Sequence, residues 1–130
     1  MEGKDLMVGD LVKLSKGNWS EIRHVNLIDI EMISEGVYFA EPIPITTEII
    51  EKNEFVANKH VYPYPYYEYI NKEDKLKIGF AFPQGNKTSY KDPWVYIDSE
   101  RVFIEHLPCM FVHQLQQVLR LCGIDKEIEL

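Results

Sequence analysis

Hydrophobic and polar positions alternate with period two along much of this chain, and with period 3.6 in one clear stretch near its end. Leu76, Ile78, Phe80 and Phe82 alternate with Lys77, Gly79 and Ala81, which predicts a strand. The run Asp5–Leu14 reads as a turn feeding a strand, with Gly9 free to take a positive φ. After the turn signal Lys16-Gly17-Asn18, Trp19–Val25 and Leu27–Ile33 both read as strands. In the second, Ile28, Ile30 and Met32 alternate with Asp29 and Glu31, so the two acids are expected in solvent. Ser34-Glu35-Gly36 is a further turn before a short strand Val37–Ala40. Strands this short and closely spaced point to a small bent sheet or an SH3-like barrel.

Pro42 and Pro44 lack the donor that a central strand needs. Thr46 is a good N-cap and Glu48 suits the positive end of a helix, which predicts a short helix over Thr47–Asn53 burying Ile49 and Ile50. A second β region spans Phe55–Tyr69, and a polar loop spans Pro83–Asp92. Trp94–Ile97 and Val102–Glu105 are expected to form a hairpin. The last helix is predicted to start near Pro108. Phe111, Leu115, Val118 and Cys122 form its apolar stripe, Val112 and Leu119 widen it, and Gly123 ends it. Arg120 suits the negative end of that helix. The fold class is therefore α+β, mainly antiparallel β, with one short middle helix and one C-terminal helix.

The 130 residues fit a single domain, with a β-rich part over 1–45 and an α+β part over 46–130. Lys and Arg number 14 against 21 acids, a net charge of −7, and the basic residues are scattered singly. That argues against a phosphate-tracking surface. No run of about 18 apolar residues occurs and the first residues lack a signal-peptide pattern, so the expected place is the cytoplasm, away from membrane. Cys109 and Cys122 both fall in the proposed last helix, thirteen residues apart. At about 1.5 Å per residue they sit roughly 20 Å apart, too far to pair, and read as small buried hydrophobes.

Three segments together resemble a family of small uncharacterised proteins encoded by Bacteroidetes genomes, often in phage or mobile-element regions. Asp5-Leu6-Met7-Val8-Gly9-Asp10-Leu11-Val12 is similar to the family's opening "ELRIGN-V". Ile43-Pro44-Ile45-Thr46-Thr47-Glu48-Ile49-Ile50 through Phe55 is similar to "IPLTEEWLLKFGF", with Asn53-Glu54 where the family has Phe-Gly. Val112-His113-Gln114-Leu115-Gln116 through Gly123 is similar to "VHQLQNLYFALTG". The resemblance implies provenance and a shared fold. It brings no catalytic residue.

No glycine spacing matches a phosphate loop, and no Cys-x-x-Cys or His-Glu-x-x-His pattern exists. The four histidines, His24, His60, His106 and His113, fall on separate elements. No metal or cofactor is expected. Two groups remain as candidate binding residues. His113, Gln114, Gln116 and Gln117 sit together on the last helix; they read either as a binding patch or as side chains that satisfy backbone groups at a sheet edge. Tyr62, Tyr64, Tyr66 and Tyr67 belong to a proline-punctuated run; they read either as a contact surface or as a roof over the core. The expected function is a non-enzymatic protein-interaction module of phage or mobile-element context, with a protein partner or a second copy. A nucleic-acid-associated protein, with Lys13, Trp19 and Arg23 on an SH3-like barrel, is the alternative, and a small hydrolase the third.

Overall fold

The computed structural model describes residues 1–57, 66–71, 75–82, 92–100 and 103–130. The fold is α+β and mostly antiparallel β. It divides into two compact units. The first combines Met1–Ile45 with Phe111–Ile128, and the second combines Thr46–Met110 with Glu129–Leu130.

In the first unit, β1 (Leu11–Lys16) and β2 (Trp19–His24) form a hairpin. Gly17 has φ 57° in its two-residue turn, as a first turn residue of type II′ requires. A short strand β3 (Phe39–Glu41) joins the other side of β1, giving the order β2-β1-β3. Val12, Leu14, Val25, Ile33, Ala40 and Leu6 make the core, with Ile30 and Tyr38 beside them. The SH3-like barrel expected here is not confirmed: the sheet has three strands, and a helix takes the place of the strand read over Leu27–Ile33.

That helix, α1 (Leu27–Ser34), corrects the strand reading; Glu31 is exposed as expected, but the places of Asp29 and Ile28 are exchanged. Asp29, expected in solvent, is 2% exposed, whereas Ile28 is 63% exposed. A capping box decides the matter. Asn26 Oδ1 accepts from Asp29 N–H at 2.8 Å, and Asp29 Oδ2 accepts from Asn26 N–H at 3.0 Å. Ile30 and Ile33 then share the inward face, and Gly36 at φ 78° follows the helix end.

The last helix, α3 (Val112–Leu121), closes the first unit. It begins four residues after Pro108, which instead ends a strand. The Val112 N–H donates to Ile43 O at 2.8 Å, and Pro44 bridges to Phe111. The most buried stripe is Val112, Leu115, Gln116 and Leu119, one position around from the expected one, so Phe111 and Cys122 are only half-buried. The helix stops as predicted. Gly123 takes φ 76° and donates to Arg120 O, while Ile124 N–H reaches Leu119 O, the paired bonds of a Schellman ending.

The second unit opens with α2 (Thr47–Lys52), capped by Thr46, whose Oγ1 accepts from Ile49 N–H at 3.3 Å. With no glycine to end it, Glu54 itself adopts φ 71°. Asn53 donates to Ile49 O and exchanges two 2.8 Å bonds with the backbone of Glu129. The strands β4 (Val56–Ala57), β5 (Tyr66–Asn71), β6 (Leu76–Ala81), β7 (Trp94–Asp98) and β8 (Phe103–Pro108) form an antiparallel meander in that order. One face carries Tyr67, Phe80 and Val95 in one row and Ile78 and Ile97 in the next. The Tyr67 hydroxyl donates to Glu51, which places α2 on that face. The other face carries a smaller cluster of Tyr66, Ala81 and Trp94, with Tyr96 stacked on Tyr66 at 6.0 Å.

Gly79 makes that stacking geometry possible. A Cβ there would lie 2.2 Å from both the Tyr66 hydroxyl and Tyr96 Cε1. Gly79→Ala is therefore expected to cost about 1–3 kcal/mol, the usual range for overpacking. Urea denaturation checks this; an unchanged midpoint means the rings move aside freely.

Candidate functional site

The polar group that the sequence places on the last helix meets the turn before β1. Gly9, at φ 93°, lets residues 7–10 turn tightly, and the Asp10 N–H donates to Met7 O at 3.0 Å. Its freedom from a Cβ also makes room for Arg120, whose Nη2 would lie 2.9 Å from such an atom. Asp10 is fully buried. Its carboxylate accepts from Met7 N–H at 2.8 Å, from Gln117 Nε2 at 2.8 Å and from Arg120 Nη1 at 2.6 Å. Charge-assisted bonds of this length are the strong kind.

Gln116 lies beside this group and is 2% exposed. Its Oε1 accepts from Leu11 N–H at 2.9 Å and its Nε2 donates to Gly9 O at 3.1 Å. A carboxamide offers one acceptor and two donors, so it substitutes for a strand peptide on the β3 side of β1, past the point where β3 ends. Gln117 also donates to Asp5 O at 3.0 Å. Gln114 is half-buried, and its Oε1 accepts from Phe111 N–H at 3.2 Å at the start of α3.

His113 is buried, stacked on Phe111 at 6.0 Å, and its Nδ1 meets no described hydrogen-bond partner. Burial pushes its pKa below the ordinary value, although Asp10 and Asp5 pull the other way. The imidazole is thus held neutral inside the unit.

This arrangement binds the chain to itself. The one carboxylate is occupied by three donors, and the amides of Gln116 and Gln117 end on backbone and on Asp10. Burial disfavours the thiolate, and with it nucleophilic attack, at both cysteines. Burial pushes Cys109 up to about 12 and raises Cys122 as well. Cys109 also lies before α3, in the second unit, rather than in the helix where the sequence reading puts it. Both cysteines are free. Among the described residues, no group of three or more His, Cys, Asp or Glu side chains could hold a metal ion.

The structure brings His113, Gln116 and Gln117 together and adds Asp10 and Arg120, which the sequence reading left out of the group. The signal for Arg120 was present: residues 113, 116, 117 and 120 follow the 0, 3, 4, 7 spacing of one helix face. Nothing local marks Asp10 as their partner. Tyr66 and Tyr67 are 3% and 6% exposed and point to opposite faces of the sheet, so neither is displayed as the contact-surface reading requires. Tyr62, Tyr64 and His60 lie outside the described residues.

Of the basic groups named for nucleic acid, Arg23 is already engaged. It donates to the buried Asp29, lies 3.5 Å from Glu21, and stacks 5.6 Å over Trp19. Among the described residues, no helix is long and apolar enough to cross a membrane. No protein-family model, curated protein or solved structure matches the chain.

Two outcomes follow for this group. Gln116→Leu keeps the volume but leaves Leu11 N–H and Gly9 O unpaired, which should cost about 1–3 kcal/mol for each group. Chemical denaturation reads the loss, and a cost under about 0.5 kcal/mol would make the bridge dispensable. The second concerns acid. Because His113 has a lowered folded-state pKa, the unfolded chain binds its proton more readily. Its contribution is complete above the ordinary value of about 6.5 and is lost as pH falls from there toward the lowered value. Denaturation across that window should show a shallower pH slope for His113→Leu than for wild type; equal slopes would place the titration elsewhere.

Proposed function

We propose that this protein is a non-enzymatic protein-interaction module, acting in the cytoplasm in the phage or mobile-element context that its sequence resemblance implies. The observation that carries this reading is the outer face of the three-stranded sheet. Register places Ile22, Lys13 and Glu41 in one row of that face, and Ser20, Ser15 and Phe39 in the next. Phe39 is 72% exposed and Ile22 is 50% exposed. Apolar side chains framed by polar ones are the composition of a contact patch.

The groups able to do chemistry support the same reading from the other side. Asp10, Arg120, Gln116 and Gln117 are all committed to bonds within the first unit. The acidic balance of −7 and the engagement of Arg23 with Asp29 weigh against nucleic acid.

Affinity capture from host lysate, with and without nuclease, tests the reading. Wild type should retain a protein that nuclease does not release, and Phe39→Asp should lose it at unchanged thermal stability. Capture that disappears with nuclease would favour the nucleic-acid reading instead, and capture untouched by Phe39→Asp would remove the sheet face from it.

A further inference from the structure

The sheet of the first unit ends in a long, regular and exposed edge strand, β2. Sheet edges invite pairing, and proteins usually blunt them by shortness, proline, bulges or inward charge. Three of the four described edges are blunted. β3 has three residues and β4 has two. β8 ends in Pro108, faces a register shift between Val95 and Ile97, and carries His106 at φ 53°. β2 is not short, has no proline and is not bulged, and the charges on its core side, Glu21 and Arg23, are paired with each other and, for Arg23, with Asp29. It runs six residues in unbroken register with β1 and is exposed along nearly its whole length.

The direction of its free backbone groups follows from the bonds beside it. Val25 N–H donates to Asp10 O at 2.8 Å and Val25 O accepts from Gly9 N–H at 2.7 Å, so Val25 faces β1. Alternate residues of an antiparallel strand face opposite sides, so Arg23, Glu21 and Trp19 also face β1. Ser20, Ile22 and His24 then turn their N–H and C=O groups outward. The outward backbone groups of Ser20 and Ile22 meet no partner among the described residues.

We propose that β2 pairs antiparallel with β2 of a second copy, about a two-fold axis through Ile22. This rests on the interaction-module reading and names its partner. Symmetric pairing must place one residue opposite itself. Centring on Glu21 or on Arg23 sets like charges face to face, which opposes pairing. Centring on Ile22 sets Ile22 against its own copy, Ser20 against His24, and Glu21 against Arg23 twice over. The same register joins the outward-facing groups of Ser20, Ile22 and His24 to one another. Geometry, apolar contact and charge therefore select one alignment, and the two sheets become a single sheet of six strands, three from each copy.

Sedimentation equilibrium of the purified full chain tests the pairing. Wild type should be dimeric. Ile22→Lys and Glu21→Lys, both at exposed positions, should be monomeric with unchanged circular dichroism and denaturation midpoint. Cysteine crosslinking tests the register. Under oxidant, Ile22→Cys should form a covalent dimer, Ser20→Cys alone should not, and a mixture of Ser20→Cys with His24→Cys should. A dimer that survives both lysine substitutions overturns the proposal, as does crosslinking of Ile22→Cys no faster than of wild type or Ser20→Cys. A monomeric wild type that still captures a foreign protein overturns this inference and leaves the interaction reading standing. A monomeric wild type that captures nothing overturns both.

Discussion

Asp10 is fully buried, and a carboxylate removed from water remains an ion only where donors surround it. Three donors do so here, from Met7, Gln117 and Arg120. Two of them come from α3, so this one side chain fixes where the last helix meets the start of β1. A buried ion pair is weak evidence for net stability, because desolvation offsets its attraction. Its effect is on alignment: α3 shifted by one residue would leave the charge without Arg120 and Gln117 together. Gln116 adds to the same constraint by bonding to Leu11 and Gly9 where β3 has ended. The polar face of α3 thereby sets position, while Val112, Leu115 and Leu119 supply the apolar area.

How legible was this in the sequence? Elements with strong local signals were readable. Thr46 marked the start of α2, Gly123 the end of α3, and the alternation from Leu76 gave β6. Failure came where local signals conflict. The stretch Ile28-Asp29-Ile30-Glu31-Met32 has the period of a strand, yet Asn26 and Asp29 cap each other into a helix. Eight residues are too few for periodicity to outweigh a cap. The polar set on α3 was visible as a set, but its partner lies 107 to 110 residues earlier. No spacing rule joins residues that far apart.

The tyrosine-rich segment teaches a related lesson. Tyr66 and Tyr67 are adjacent, so a strand sends them to opposite faces. Both faces of this sheet hold aromatic clusters, one around Phe80 and one around Trp94, so both tyrosines are buried. Aromatic density in a sequence measures how much apolar area a segment carries. It does not distinguish a surface patch from a sheet packed on two sides.

The first unit is also discontinuous, since residues 46–110 intervene between its sheet and its helix. A ribosome adds about 5–20 residues per second, so the hairpin and α1 emerge several seconds before α3 exists. Over that interval Asp10 is a hydrated ion and the Leu11 N–H is bonded to water. The second unit has no such delay for its sheet, whose strands follow one another directly along the chain. The sheet of the first unit is therefore made before the sheet of the second and sealed after it, when α3 reaches β1.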